Sequence, residues 1–280
     1  MATSERDREV LQALADARKK HEELADLLDF YGEIYQVQFE AKTHIPEPEV
    51  RDEMAVRWRL EGGIPQLTYD QLAIEPQGFA ELVAKIRQVL LRHNPSWELE
   101  DADPEAEELL SLARHVFETW DTLTSPRPDA GPEDAEDVQQ VPPSALTVGF
   151  SLAPYLQKAS ETILPRLDLE RWVHGYCPVC GGRPNFSLLE AKRGARQLMC
   201  SRCNSIWHYS RVGCPFCRSK EKQTYYTSED GIYRLYVCPD CNRYLKTLDL
   251  RELQRSVEPV VERLLTVGMD LAAQQEGYRA

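Results

Sequence analysis

Apolar runs long enough to cross a membrane, about 18–20 residues, are missing from this 280-residue sequence. The opening Met1-Ala2-Thr3-Ser4-Glu5-Arg6-Asp7 is polar and charged, unlike a secretory leader with its apolar stretch. No Ser-His-Asp set, P-loop or Gly-rich dinucleotide fingerprint is visible, so the sequence offers no signature of hydrolase, nucleotide or hydride chemistry. Histidine is sparse. Of six, His21, His44, His93 and His115 lie scattered through the first 120 residues and read as structural. Positive charge is also in deficit, with 33 Lys and Arg against 46 Asp and Glu, a net −13. These absences leave a cytoplasmic protein as the expectation. In that compartment thiols stay reduced, and paired cysteines point to metal or redox chemistry.

The charge is unevenly distributed. From Arg171 to Thr247 there are 13 Lys and Arg against 5 Asp and Glu, a formal +8, which leaves −21 for the rest of the chain. An acidic body therefore carries a basic segment. A divalent metal in a four-thiolate shell has a net charge of about −2. The basic residues are thus suited to balancing bound metal.

The first 120 residues have helical periodicity. Ser4 with Asp7 resembles a capping box, and Val10, Leu14, Ala17, His21, Leu24 and Leu28 recur at helical spacing, predicting one helix from about Glu5 to Lys42. Ile45-Pro46-Glu47-Pro48 ends it, and Gly62-Gly63-Ile64-Pro65 marks another break. Further helices are predicted from Pro76 to His93, stopped by Asn94-Pro95, and from Pro104 to about Leu123. Ser125 to Pro143 holds five prolines, five acids and a single base, Arg127, and reads as a flexible acidic loop. Helical spacing resumes at Ser144 and runs towards Leu169, and a last amphipathic helix is expected from Leu250 to about Gln275.

All eight cysteines stand in four Cys-x-x-Cys pairs: Cys177/Cys180, Cys200/Cys203, Cys214/Cys217 and Cys238/Cys241. The gaps between pairs are 19, 10 and 20 residues, and the flanking residues repeat. Cys177-Pro178-Val179-Cys180 parallels Cys214-Pro215-Phe216-Cys217, and Cys200-Ser201-Arg202-Cys203-Asn204 parallels Cys238-Pro239-Asp240-Cys241-Asn242. Each half reads as knuckle, hairpin, knuckle. A Cys-x-x-Cys turn aims two sulfurs into one hemisphere, and two such turns joined by a short sheet complete a tetrahedron. The first two knuckles pair as one four-cysteine site and the last two as another, with a crossed arrangement as the alternative. His174 and His208 lie near knuckles and could substitute as ligands, although eight thiolates already complete two sites. Trp207, His208, Tyr209 and Arg211 place aromatic and cationic groups beside a knuckle, which suits partner binding. Trp207 suits equally well a place in the small module's core.

These residues resemble a known family. Cys177-Pro178-Val179-Cys180-Gly181-Gly182-Arg183-Pro184 is similar to the opening signature of the FdhE-type formate dehydrogenase accessory proteins. Leu198 to Cys203, Trp207-His208-Tyr209, Arg211, Cys214 to Cys217, Cys238 to Thr247 and Met269 to Ala273 continue the resemblance. It implies a mostly α N-terminal domain, two tandem small β modules of rubredoxin-like or zinc-ribbon type, and a C-terminal helix. The divisions expected are 1–170, with the loop at 125–143, then 171–209, 210–248 and 249–280. It also implies a non-enzymatic role in maturing molybdenum- or tungsten-dependent formate dehydrogenase. That role includes contact with the catalytic subunit and metal, iron by resemblance, at Cys177, Cys180, Cys200, Cys203, Cys214, Cys217, Cys238 and Cys241. Four thiolates fit iron and zinc equally well.

One departure concerns the position after each second cysteine, where rubredoxin knuckles favour Gly. Only Gly181 conforms, with Asn204, Arg218 and Asn242 in the other three places; Asn tolerates left-handed geometry but Arg218 does so less readily, which predicts a second site less rubredoxin-like than the first. Two rival readings are a zinc-ribbon nucleic-acid-binding protein and a rubredoxin-like electron-transfer protein. The −21 remainder opposes the first, because an acidic body repels phosphate. Neither a nucleic acid nor a membrane is expected as a partner.

Overall fold

A computed structural model describes residues 3–97, 105–123, 141–221, 223–253 and 256–279. The chain divides into two compact units. One is Met1–Pro48 with Tyr69–Lys158, and the other is Glu49–Thr68 with Ala159–Ala280.

The first unit is helical. Its α1 (Glu5–Lys20) begins at Ser4, whose side chain accepts from the Asp7 N–H. The single helix predicted to Lys42 is instead two, because the chain turns at His21–Leu24 before α2 (Ala25–Lys42). The physical reason lies at the far ends of the pair. Lys42 Nζ meets the Asp7 carboxylate at 2.5 Å with both side chains buried. In one continuous helix those residues, 35 apart, would be separated by about 50 Å. Folding back also joins the buried stripe Val10, Leu14 and Ala17 to the core that α2 shares.

Helix α4 (Pro76–His93) matches its predicted bounds because both ends are written locally. Glu75 caps the N–H groups of Gln77 and Gly78, Pro76 occupies the first turn, and the Asn94 backbone and side chain both donate to the Leu90 carbonyl. Helix α5 (Ala106–Leu123) buries Leu109, Ala113 and Val116, and its Trp120 ring lies where a Cβ on Gly149 would be. The acidic loop expected at 125–143 lies largely outside the described residues.

Helix α6 (Pro143–Ile163) leads into the second unit and stops short of Leu169, because Pro165 cannot continue it. The second unit also contains α3 (Glu53–Glu61), capped by Asp52, from earlier in the chain. Its sheet comprises β1 (Pro184–Leu189), β2 (Arg196–Cys200), β3 (Ile206–Tyr209), β4 (Thr224–Thr227), β5 (Tyr233–Val237) and β6 (Tyr244–Asp249). The spatial order is β3-β2-β1-β6-β5-β4. Neighbours are antiparallel except β1 and β6, which run parallel with Phe186 opposite Lys246. The two cysteine modules therefore share one sheet. Because β1–β3 and β4–β6 repeat in the same left-to-right order, one module maps onto the other by translation across the sheet. The knuckles stand where β1, β3, β4 and β6 begin and β2 and β5 end, so both sites lie at the same end of the sheet.

The single C-terminal helix expected from Leu250 is also divided, into α7 (Pro259–Leu265) and α8 (Val267–Gln275). Pro259 sets the start of α7, with Glu258 as its cap. Lys246 from β6 sets the break: its ammonium donates to the Arg263 and Thr266 carbonyls and pairs with Asp270 at 2.6 Å. The kink lets Ala273 of α8 pack on Leu235, Val237 and Tyr244. No helix among the described residues is long and apolar enough to cross a membrane.

Candidate metal centres

The four Cys-x-x-Cys segments adopt one local design. In each, the first cysteine donates its N–H to the carbonyl five residues on: Cys177 to Gly182, Cys200 to Ser205, Cys214 to Ser219 and Cys238 to Arg243, all at 2.9 Å. This closure requires a left-handed residue after the second cysteine, and all four positions have it: Gly181 (φ 77°), Asn204 (59°), Arg218 (62°) and Asn242 (52°). The expectation of a less rubredoxin-like second site is corrected on this point. Arg218 takes the same backbone conformation as Gly181, held by its N–H bond to the Cys214 carbonyl at 3.0 Å. The knuckle closure outweighs a cost of about 1–2 kcal/mol for a left-handed side-chain residue.

Backbone N–H groups then face the sulfurs. Val179 N approaches Cys177 Sγ and Arg202 N approaches Cys200 Sγ, each at 3.4 Å. In the second module the N–H groups of Phe216 and Cys217 serve Cys214, and those of Asp240 and Cys241 serve Cys238.

The sheet brings the knuckles together in two groups, Cys177/Cys180/Cys200/Cys203 and Cys214/Cys217/Cys238/Cys241, with the sulfurs of each within 4.8 Å of one another. The crossed arrangement does not occur. Cys177 and Cys203 sulfurs are 3.5 Å apart, Cys180 and Cys200 3.5 Å, Cys214 and Cys241 3.6 Å, and Cys217 and Cys238 3.6 Å. These are far from the ~2.0 Å of a disulfide. A tetrahedral shell with metal–sulfur bonds of ~2.3 Å has sulfur–sulfur edges of about 3.8 Å. Either group could hold a metal ion.

The electrostatics favour a cation. Burial pushes the Cys177 and Cys200 thiols well up, with neighbouring thiols adding to the rise. At Cys203 burial acts in the same direction, but hydrogen bonds from Cys177, Cys180, Cys200 and Ser205 outweigh it and the thiol is shifted well down. In the second group burial raises Cys214 and pushes Cys241 up to about 11, while backbone N–H and thiol hydrogen bonds overcome it at Cys238 and lower that group. Four thiols so placed cannot all ionise beside one another without a positive charge between them.

Neither His174 nor His208 belongs to a sulfur group. His174 stacks on Tyr176, while His208 is exposed on β3 and faces Glu190 at 3.5 Å. Trp207 is 1% exposed and its indole N–H donates to the His174 carbonyl, so of its two sequence readings the structure places it in the core. Tyr209 is half-buried, its hydroxyl donating to the Cys214 carbonyl, and Arg211 is exposed.

Several supporting residues carried no sequence signal. Gln66 and Leu67 donate their N–H groups to the carbonyls of Pro178 and Val179, fastening the first knuckle to the segment after α3. Gly175 lies so close to the third knuckle that a Cβ would fall 1.9 Å from the Pro215 carbonyl oxygen. Arg196 is buried and donates to the Gly213 carbonyl at 2.6 Å, tying β2 to the entry of the second module. Its equivalent by repeat, Arg234, pairs instead with Asp249.

Residues 176–211 match the family described as FdhE, central domain. A protein named FdhE homolog from Aquifex aeolicus is 36% identical over 137 residues, covering 46% of this chain and 48% of that protein. One of the same name from Stutzerimonas stutzeri is 35% identical over 166 residues, 54% of each. Protein FdhE of Escherichia coli is 36% identical over 107 residues, 37% of this chain and 34% of that protein. The chain thus spans about half, or less, of the length of these curated relatives. A crystal structure of the FdhE protein from Pseudomonas aeruginosa shares the fold over 98% of this chain and 91% of that one, with a TM-score of 0.59 at 23% identity. Over its central segment and up to about half its length this chain is thus similar to FdhE proteins, and it shares the fold of one solved FdhE structure.

Proposed function

We propose that this protein is a non-enzymatic accessory factor for assembly of a molybdenum- or tungsten-dependent formate dehydrogenase. In this reading it works in the cytoplasm, binds the catalytic subunit and holds two metal ions. The observation that carries the reading is the pair of four-cysteine groups lying within and beyond the segment matched by the FdhE central domain. Cys177, Cys180, Cys200 and Cys203 would hold one ion and Cys214, Cys217, Cys238 and Cys241 the other. Their sulfur spacing suits iron or zinc, and a full four-thiolate shell supplies a structural cross-link with no open coordination position for catalysis.

Docking was expected at Trp207, His208, Tyr209 and Arg211. The buried indole of Trp207 leaves His208 and Arg211 as the exposed side chains of that set, so these two are the contacts proposed. An acidic face on the partner would complement Arg211 and the surplus of positive charge between Arg171 and Thr247.

Deleting the protein from its host tests this reading. Formate dehydrogenase polypeptide should remain while its activity is lost, and reintroducing the chain should restore it. Full activity in the deletion strain would end the proposal.

A further inference from the structure

The two sulfur groups share a backbone design but differ in how they are covered. In the first, all four cysteines are buried, with Cys180 the most accessible at 6%. Three layers close over it. The backbone of Gln66 and Leu67 lies on the Pro178 and Val179 carbonyls, and Pro65 stands 3.1 Å from where a Cβ of Gly181 would be. The Arg202 side chain covers Gly182, and the Ser205 hydroxyl sits 3.0 Å from Cys203 Sγ, itself bonded to Ser160 at 2.6 Å. In the second group Cys214 and Cys238 are buried, yet Cys217 is exposed and Cys241 half-buried. Cys217 is the only exposed cysteine of the eight.

We propose that the second group is a ligand-exchange site, in which an incoming thiol replaces Cys217 on the bound metal, while the first group is closed and structural. This rests on the two-metal reading above. A four-thiolate shell has no vacant position, so a new ligand must displace an old one. The ligand able to do so is a soft sulfur donor that reaches the metal from solvent. At Cys217 that approach is open; at the first group every sulfur is screened by protein. In the exchange the metal–Cys217 sulfur bond breaks and a metal–sulfur bond to the incoming thiol forms. The thiol's proton passes to the Cys217 sulfur, and no electrons change hands. The remaining three cysteines retain the ion, two of them buried and bonded to backbone N–H groups.

The design gives the protein one ion that fastens its sheet and one that can acquire a ligand from another molecule. A cysteine side chain of a client polypeptide is a thiol of the required class, and glutathione serves as the probe.

The test uses the full chain purified without a tag, with metal content measured first. Metal release to a chromophoric chelator is then followed with and without glutathione, and alkylation by iodoacetamide is mapped by mass spectrometry. One ion should leave at least about tenfold faster than the other, accelerated by glutathione, with Cys217 the first cysteine alkylated. Cys217→Ser puts a weaker oxygen donor in place of the displaced sulfur, so it should speed release of the fast ion before glutathione is added and leave the slow ion unchanged. Should that variant bind a single ion, the alkylation order of the natural chain decides. Two ions leaving at one rate, or first alkylation at Cys177, Cys180, Cys200 or Cys203, overturns the exchange proposal alone. Fewer than two ions at the start overturns the two-metal reading and the exchange proposal with it.

Discussion

Gln38 on α2 completes a hydrogen bond that Pro154 on α6 cannot make. Proline has no N–H, so the carbonyl four residues earlier, Phe150, loses its helical donor, and Gln38 Nε2 donates to that oxygen at 2.8 Å instead. Gln38 is 1% exposed, so no solvent is available to substitute for it. Replacing Gln38 with Leu should cost about 1–3 kcal/mol, the penalty for an unsatisfied buried carbonyl. In the Pro154→Ala background the helix regains its own donor, and the same Gln38→Leu change should cost clearly less. Urea denaturation of the four proteins measures the coupling, and strict additivity would refute the assignment.

Trp207 and Arg211 should separate cleanly. Trp207→Ala removes a fully buried indole and should destabilise the second unit by about 3–5 kcal/mol. Arg211→Ala changes an exposed side chain and should leave melting within about 0.5 kcal/mol of the parent. If Arg211 contacts the catalytic subunit, the same variant should weaken capture of that subunit by about 2 kcal/mol. Calorimetry and a pull-down on the same preparations give both answers.

The left-handed Arg218 offers a gain in stability. Its φ of 62° is the conformation in which a Cβ is disfavoured by roughly 1 kcal/mol, and Gly181 occupies the equivalent place in the first knuckle without that cost. Arg218→Gly should raise the thermal midpoint of metal-loaded protein by an amount corresponding to about 1 kcal/mol. Asn242→Gly should yield less, since Asn tolerates this region better. A fall in midpoint for Arg218→Gly would show that the side chain, which approaches His174 at 3.3 Å, contributes more than its backbone strain removes.

Alkaline pH should loosen the helical unit through Tyr155. Burial, with Glu75 and Tyr69 adding, pushes its hydroxyl up from 10.0 to about 12. A group raised on folding contributes stability that is complete below its unfolded value and fades as pH climbs through the folded one. The loss should therefore fall between about pH 10 and pH 12. Tyr155→Phe should be flatter over that interval than the parent in urea midpoints measured against pH. Parallel curves for the two proteins would remove Tyr155 as the cause.

What could be read in the residues was whatever is encoded over a few positions. Helix α4 carries its own start in Glu75-Pro76 and its own stop in Asn94, so its limits follow from capping chemistry. The four knuckles were equally legible, because a Cys-x-x-Cys turn forms its N–H···S and backbone bonds within about six residues. The matching long gaps pointed to the pairing found in space. Tertiary structure decided the rest. Nothing near His21 shows that a long apolar stripe folds back on itself; the reversal is rewarded 35 residues away, where Lys42 meets Asp7. Nothing in either cysteine repeat says that β1 will lie parallel to β6, since that pairing depends on edges at opposite ends of the module. Trp207 was balanced between surface and core until the backbone of His174 supplied a partner for its indole. Spacing sets which sulfurs can share an ion. Which of them water can reach depends on distant chain: Pro65 to Leu67 lie over the first group, whereas Cys217 of the second is exposed.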